Sequence, residues 1–352
     1  MALAFKTITA QVADHLRAHL LQGRWQGRLP GREQLAAELG VNRKTVEAAL
    51  RLLEKEGTLR NPGKGRRRQI EIRAAQPPGQ LRVAILLSER RDQSSGVIPS
   101  ILHQLQRAGH SAFYAEKSLV DLAMNPARVA ALVSHAPADA WVVTAGSREV
   151  LEWFASQSRP AFALFGLMLN VRLPGVAPRK TPALVEATRA LLQLGHRRIA
   201  LLVRPRRRHP QPGMAEQAFF AELRAAGVHP TSYHLPEWEE TIASFHSMLE
   251  AMFRVTPPTA LIVDEAPFFV AVMQFCLARR LRVPEDVSLI CTDDDPAFAW
   301  CRKTVAHIAW DHRPVVRRVV RWAGNVRLGN ADVRQTFTAA RFVPGGTIGA
   351  AP

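Results

Sequence analysis

The sequence predicts an α/β protein in two parts: a small helical head closed by a hairpin, then a larger region of parallel sheets arranged as two lobes. Three observations predict it. Apolar residues recur at helical spacing up to about residue 56, then give way to short apolar runs alternating with amphipathic helices. A polar, Pro/Gly-rich stretch, Ala74-Ala75-Gln76-Pro77-Pro78-Gly79-Gln80, separates the two patterns and reads as a linker. The 352 residues are enough for two or three domains, and the strand–helix alternation breaks once, around Asn170–Lys180. The expected domains are therefore 1–73, a linker at 74–80, and 81–352.

In the head, Ile8, Val12, Leu16 and Leu20 form one apolar stripe on a first helix. Gly23, Gly27 and Pro30 end it. A second helix over Glu33–Leu39 turns Leu35, Ala36 and Leu39 inward, and Gly40 stops it. Asn42 is a good N-cap for a third helix that buries Val46, Ala49, Leu50 and Leu53. Thr58–Arg60 and Gln69–Ile72 read as two short strands around a Gly-rich basic turn. Trp25 reads as a core residue.

Beyond the linker, strands are expected at Arg82–Leu87, Ala112–Ala115, Ala140–Thr144, Ala161–Phe165, Ile199–Val203, Ala260–Val263 and Val287–Thr292. Helices are expected at Ile98–Ala108, Ala127–His135, Arg148–Gln157, Pro182–Leu194, Ala215–Ala226, Ile242–Phe253 and Phe268–Arg279. Such alternation predicts parallel sheets covered on both faces.

Charge points to a partner. The formal net charge is +17, and residues 1–75 hold 15 basic and 7 acidic residues, nearly half of that excess in under a quarter of the chain. A polyanion, most often nucleic acid, is the expected partner. Three short helices and a basic hairpin are the layout of a winged helix-turn-helix, whose third helix enters the major groove of double-stranded DNA. Its first turn presents Asn42, Arg43, Lys44 and Thr45. Arg43 suits bidentate pairing with guanine, while Lys44 and Thr45 suit phosphates. Asn42 either reads adenine or caps the helix. Lys64, Arg66, Arg67 and Arg68 on the wing suit the minor groove or flanking phosphates.

Residues 29–57, from Leu29-Pro30-Gly31-Arg32-Glu33 through Leu39-Gly40-Val41-Asn42-Arg43-Lys44-Thr45 to Leu53-Glu54-Lys55-Glu56-Gly57, resemble the GntR-type winged helix. The resemblance spans roughly residues 7–72. It implies DNA contacts from Arg43, Thr45 and the wing glycine Gly65. The family's other two helix arginines fall on Glu33 and Glu47, where Arg32 and Lys44 are the available substitutes.

Leu194-Gly195-His196-Arg197-Arg198-Ile199-Ala200-Leu201-Leu202 and Val283-Pro284-Glu285-Asp286-Val287-Ser288-Leu289-Ile290-Cys291-Thr292-Asp293-Asp294 are similar to motifs of LacI/GalR-type regulators. That resemblance implies the periplasmic-binding-protein fold: two Rossmann-like lobes, three crossovers and a ligand cleft between them. The family's effectors are usually sugars or nucleobases. An Asp-Asn pair of that pocket falls near Arg179 and Lys180, and its Arg falls on Ala215. The acidic strand ends survive as Asp264-Glu265 and Asp293. Arg179, Asp264, Asp293 and Trp300 are the candidate effector contacts. The segment Arg204–Pro210 follows a strand and is expected at the cleft mouth, as a mobile solvated loop or, alternatively, as a binding segment for an anionic effector.

Other chemistry is poorly represented. Cys276, Cys291 and Cys301 form no CxxC pair, which excludes a disulfide scaffold and suits a reducing cytoplasm. No GxSxG, P-loop or HExxH motif occurs, so no enzyme, metal or cofactor is expected. Asp293-Asp294-Asp295 does not point at one ion, and His196 reads as structural. No run of about 18 apolar residues is present, so no membrane span is expected. The expectation is a regulator, most simply a repressor, binding a palindromic operator as a homodimer under a small-molecule effector. A sugar or sugar derivative is the first candidate. The alternatives are a solute-binding or sugar-processing protein with a non-DNA-binding basic head, and a constitutive DNA binder with a degenerate cleft.

Overall fold

The computed structural model describes residues 7–21, 25, 29–56, 59–61, 63, 67–70, 80–94, 96–209 and 211–352. The chain divides into two compact units, one up to Gln80 and one from Leu81.

The first unit contains α1 (Ile8–Leu21), α2 (Arg32–Leu39), α3 (Arg43–Lys55), β1 (Leu59–Arg60) and β2 (Gln69–Ile70). The apolar spacing closes a core of Val12, Leu16, Leu20, Leu35, Val46, Leu50 and Leu53. Ile8 does not join the stripe that its spacing suggested; it lies in the first turn and is 65% exposed. Gly40 ends α2 in the left-handed region (φ 61°), a conformation that costs glycine least. The Asn42 side chain caps α3 by accepting the Lys44 N–H at 2.9 Å. β1 and β2 pair antiparallel, Leu59 opposite Ile70 and Arg60 opposite Gln69. Trp25 packs against the core. Lys64, Gly65, Arg66 and residues 74–79 of the expected linker lie outside the described residues.

The second unit runs β3 (Arg82–Leu86), α4 (Val97–Arg107), β4 (Ser111–Tyr114), α5 (Pro126–His135), β5 (Ala140–Thr144), α6 (Arg148–Ala155), β6 (Ala161–Leu164), β7 (Gly175–Arg179), α7 (Lys180–Gln193), β8 (Ile199–Leu202), α8 (Pro205–Arg208), α9 (Met214–Ala225), α10 (Ile242–Val255), β9 (Ala260–Val263), α11 (Ala266–Ala278), β10 (Ser288–Cys291), β11 (Ala306–Trp310), α12 (His312–Arg327) and β12 (Gln335–Val343). All seven expected strands and all seven expected helices form. Among the described residues, ten strands make one sheet ordered β4-β3-β5-β6-β7-β12-β11-β10-β9-β8. Every pairing in it is parallel except β11 with β12.

The two lobes are therefore the β3–β7 half and the β8–β11 half, with β12 shared between them. The expected break at 170–180 is in part a strand, β7. Each half is buried on both faces, which is why its strands read as continuous apolar runs. In the first, α4 and α12 cover one face and α5 and α6 the other. In the second, α10 and α11 cover one face, α7 and α9 the other.

Candidate nucleic-acid interface and interlobe cleft

In the first unit the caps and core fix which face of α3 stays outside. Val46, Ala49, Leu50 and Leu53 point inward, so Arg43, Lys44 and Arg51 are left exposed. With Arg32 from α2, Glu47 and Ala48 they line a groove of ≈ 550 Å³. Arg43 rests on Glu33, Nη1 to Oε1 3.0 Å, with the two side chains 68% and 71% exposed. Such a pair is weak and readily exchanged for a stronger partner. Arg32 and Arg67 are exposed, and Thr45 is half-buried. The Asn42 amide oxygen is engaged as the cap.

Arg68 departs from the expectation for the wing. Its guanidinium turns away from solvent, giving Nη2 to Glu47 Oε1 at 2.7 Å and pairing through Nε with Glu54. The hydrogen bond from Arg68 outweighs burial and holds the Glu47 carboxyl below its ordinary value. The Arg68 carbonyl also accepts the Leu29 N–H at 2.9 Å. Arg68 thus ties the base of the hairpin to α3. Glu47, which stands where the family resemblance places an arginine, is the acceptor of that tie.

In the second unit the carboxyl ends of the parallel strands converge between the lobes, where open α/β sheets place their ligands. Three non-glycine residues with positive φ stand there. Ala145 (φ 43°), Phe165 (φ 64°) and Glu265 (φ 66°) follow β5, β6 and β9 directly or within two residues.

Charged side chains crowd this region. Asp264 is almost wholly buried; it accepts the Thr292 hydroxyl at 2.6 Å and pairs with Arg207 Nη1 at 2.8 Å. Arg207 Nη2 lies 2.6 Å from Glu216. Burial disfavours the Asp264 charge, but Arg207 and Lys180 outweigh it and keep its pKa below the ordinary value. Asp293 pairs with Lys180 Nζ at 2.5 Å. Burial works against the Lys180 charge, yet Asp293 and Asp264 leave its pKa raised.

Arg204, 2% exposed, is surrounded by carboxylates: Glu89 from the first lobe at 2.6 Å, Glu265 at 2.6 Å, and Glu240. Arg206 reaches across to the Ser88 hydroxyl at 3.4 Å. The segment expected as a solvated loop is thus the short helix α8. Arg204, which caps it, and Arg207 face inward because acids from four other segments meet there: Glu89, Glu216, Glu240 and the pair Asp264-Glu265. Arg208 donates to the Pro236 and Trp238 carbonyls at 2.7 Å each.

The expected effector residues separate. Asp264 and Asp293 belong to the crowded region. Arg179 is exposed at the end of β7, its guanidinium 5.4 Å from the Phe337 ring centre. Trp300 stands 91% exposed on a 3₁₀ turn, Pro296–Trp300. Glu89 and Ser88 escaped the sequence reading of the site, and Arg204, Arg206 and Arg207 entered it only as a basic segment at the cleft mouth.

The three consecutive aspartates diverge. Asp293 goes to Lys180, Asp294 lies 3.6 Å from His307, and Asp295 caps the 3₁₀ turn through the Ala297 N–H at 2.8 Å. His196 is wholly buried, with Thr259 at 2.9 Å, Ser288 at 3.1 Å and the Gly349 carbonyl at 3.0 Å. Burial lowers its pKa, so it is a neutral structural group.

Known families match both units. Residues 8–67 match the model for bacterial regulatory proteins of the gntR family, and residues 188–348 match the periplasmic binding protein-like domain. No curated protein matches the chain in sequence. Solved structures match in fold. The transcriptional regulator CelR in its cellobiose complex is 18% identical over 91% of this chain and 100% of its own, with a TM-score of 0.63. A LacI family transcriptional regulator from Enterococcus faecium with bound ribose is 14% identical over 77% and 100%, with a TM-score of 0.61. The Escherichia coli transcriptional repressor ascG is 15% identical over 77% and 100%, with a TM-score of 0.58. With its head in the gntR family of bacterial regulatory proteins and its larger part a periplasmic-binding-protein-like domain, the chain is a transcriptional regulator.

Proposed function

We propose that residues 1–73 bind a palindromic operator in double-stranded DNA and that residues 81–352, joined by the linker 74–80, sense a small molecule and form a homodimer. The observation that carries the reading is the face of α3. Arg43, Lys44 and Arg51 stand exposed with Arg32 around one groove, next to a helix N-terminus that favours anions. Arg43 exchanges Glu33 for a guanine edge, and Lys44, Thr45, Arg32, Arg51 and Arg67 set register on phosphates. Asn42 serves chiefly as the cap. Lys64, Gly65 and Arg66 are assigned to the wing by their place in the sequence.

The interlobe region takes the effector, with Asp264 and Asp293 as its acidic members. Ribose and cellobiose are bound by structures of the same fold, which supports a sugar or sugar derivative. Val270, Met273 and Leu277 form an exposed apolar stripe on α11, at a spacing that puts them on one helix face. That stripe supports dimerisation through the second unit. Two-fold symmetry then matches two half-sites one helical turn, about 34–36 Å, apart or a multiple of it. Repression is the simplest output, and the cytoplasm, with the DNA, is the place of action.

The test is selection of bound duplexes from a random pool by the full chain. The reading expects a two-fold symmetric site. Recovery of no sequence preference at moderate salt contradicts it and favours a constitutive or non-DNA role for the head.

A further inference from the structure

Within the interlobe cleft, enclosed cations are matched with carboxylates. Arg204 has Glu89, Glu240 and Glu265; Arg207 has Asp264 and Glu216; Lys180 has Asp293. Arg206 breaks the pattern. Among the described residues no carboxylate lies within ion-pair distance of its guanidinium, and its one hydrogen bond is the long contact to Ser88 Oγ at 3.4 Å. Ser88 itself is 4% exposed, and its N–H is taken by the Thr144 hydroxyl at 2.6 Å. Burial and the neighbouring Arg204 charge lower the Arg206 pKa against the pull of Glu265, Glu89 and Asp264, which lie near it without pairing directly with its guanidinium. The carboxylates that would accept ligand hydroxyls are already engaged: Asp264 by Thr292 and Arg207, Asp293 by Lys180. Across the lobes, a guanidinium without a direct ion pair thus faces a hydroxyl.

We propose that the cleft ligand carries an anionic group, a carboxylate or a phosphoryl group, held by Arg206 from one lobe and by the Ser88 hydroxyl from the other. The proposal rests on reading the cleft as the effector site and names the ligand's class. An anion there gives Arg206 a direct partner and adds charge-assisted hydrogen bonds that span the lobes. A neutral hexose supplies neither.

The experiment uses the full-length chain and four probes: glucose, gluconate, glucose 6-phosphate and inorganic phosphate. Thermal shift and calorimetric titration read binding, and operator affinity is measured with and without each probe. The expected result is that at least one anionic probe binds and glucose does not. Arg206→Gln then weakens that anion about tenfold or more, in line with loss of a charged hydrogen-bonding group. Ser88→Ala weakens it less, and both variants unfold as the parent does. Gluconate against glucose 6-phosphate separates carboxylate from phosphoryl recognition. Glucose binding as tightly as the anions, an Arg206→Gln affinity equal to the parent's, or binding of no anion each overturns the proposal. An anion that binds through Arg206 without changing operator affinity keeps the anion site and removes the effector reading instead.

Discussion

The exposed face of α3 and the interlobe cleft are built from the same residue type and use it in opposite ways. On α3, Arg43 and Arg51 stand in solvent, and the pairs they make, to Glu33 and Glu47, are exposed or long. Water and salt screen them, so the charge remains available to a polyanion. In the cleft, Arg204 and Arg207 are enclosed and each holds two or more carboxylates. Those arginines are bound to the protein itself and fasten one segment to another. Burial and the supply of acids, rather than the number of arginines, decide which arginine is a reader and which is a rivet. Arg68 shows the same rule inside the head: on the wing by sequence, it is a rivet by position.

The largest expected effect breaks the comparison at its buried end. Arg207→Ala strips the cation from Asp264 and Glu216 and should destabilise the second unit by about 3–5 kcal/mol in urea unfolding. The same change has a pH signature. Asp264 has a lowered native pKa, so its contribution is complete above its ordinary value of 3.8 and is lost as the pH falls below it. In Arg207→Ala that acid-side loss should shrink. A parent-like stability in the variant contradicts the rivet assignment.

Arg68→Ala comes next, leaving Glu54 without the Arg68 cation and Glu47 with only its long contact to Arg51 at 3.7 Å. A loss of about 1.5–3 kcal/mol in head stability is expected, with the DNA salt dependence nearly unchanged. A reduced salt slope without lost stability would return Arg68 to the reading face.

At the exposed end, Arg43→Ala should cost about 1–3 kcal/mol in operator binding and relax sequence preference. The stability of the fold should change by under about 1 kcal/mol, the scale of a surface ion pair. The smallest effect is expected at Trp300, where replacement by Ala should change stability and ligand affinity by no more than about 0.5 kcal/mol, as at other exposed positions. A large loss of ligand affinity there would place the cleft elsewhere.

Most elements could be read from the sequence because their signals are local. Val12, Leu16 and Leu20 mark α1; Asn42 and Gly40 mark the caps; runs such as Ala260–Val263 mark strands buried on both faces. β7, β11, β12 and α12 were not legible. β7 carries Pro178, β12 alternates between half-buried and exposed positions, and α12 is interrupted by arginines, among them Arg318, which is buried on Asp332 at 2.9 Å.

The cleft was legible in its acids and, as an alternative to a solvated loop, in the basic segment at its mouth. Asp264 and Asp293 end strands, which a sequence displays. The basic run Arg204–Arg208 looked solvated because its partners, Glu89, Glu216, Glu240 and Glu265, come from remote segments. Trp300 was expected beside Asp264 and Asp293, but it is exposed on its 3₁₀ turn, a placement that depends on the folded chain.

The central claim is that α3 presents free positive charge to duplex DNA while the cleft arginines do not. Operator affinity measured against salt concentration tests it most directly. Arg51→Ala should lower the slope of log affinity against log salt by about 0.9, the value for one phosphate contact. Arg207→Gln, measured where the protein remains folded, should leave that slope unchanged. Equal slopes for the parent and Arg51→Ala, or a slope that falls only in Arg207→Gln, would contradict the account.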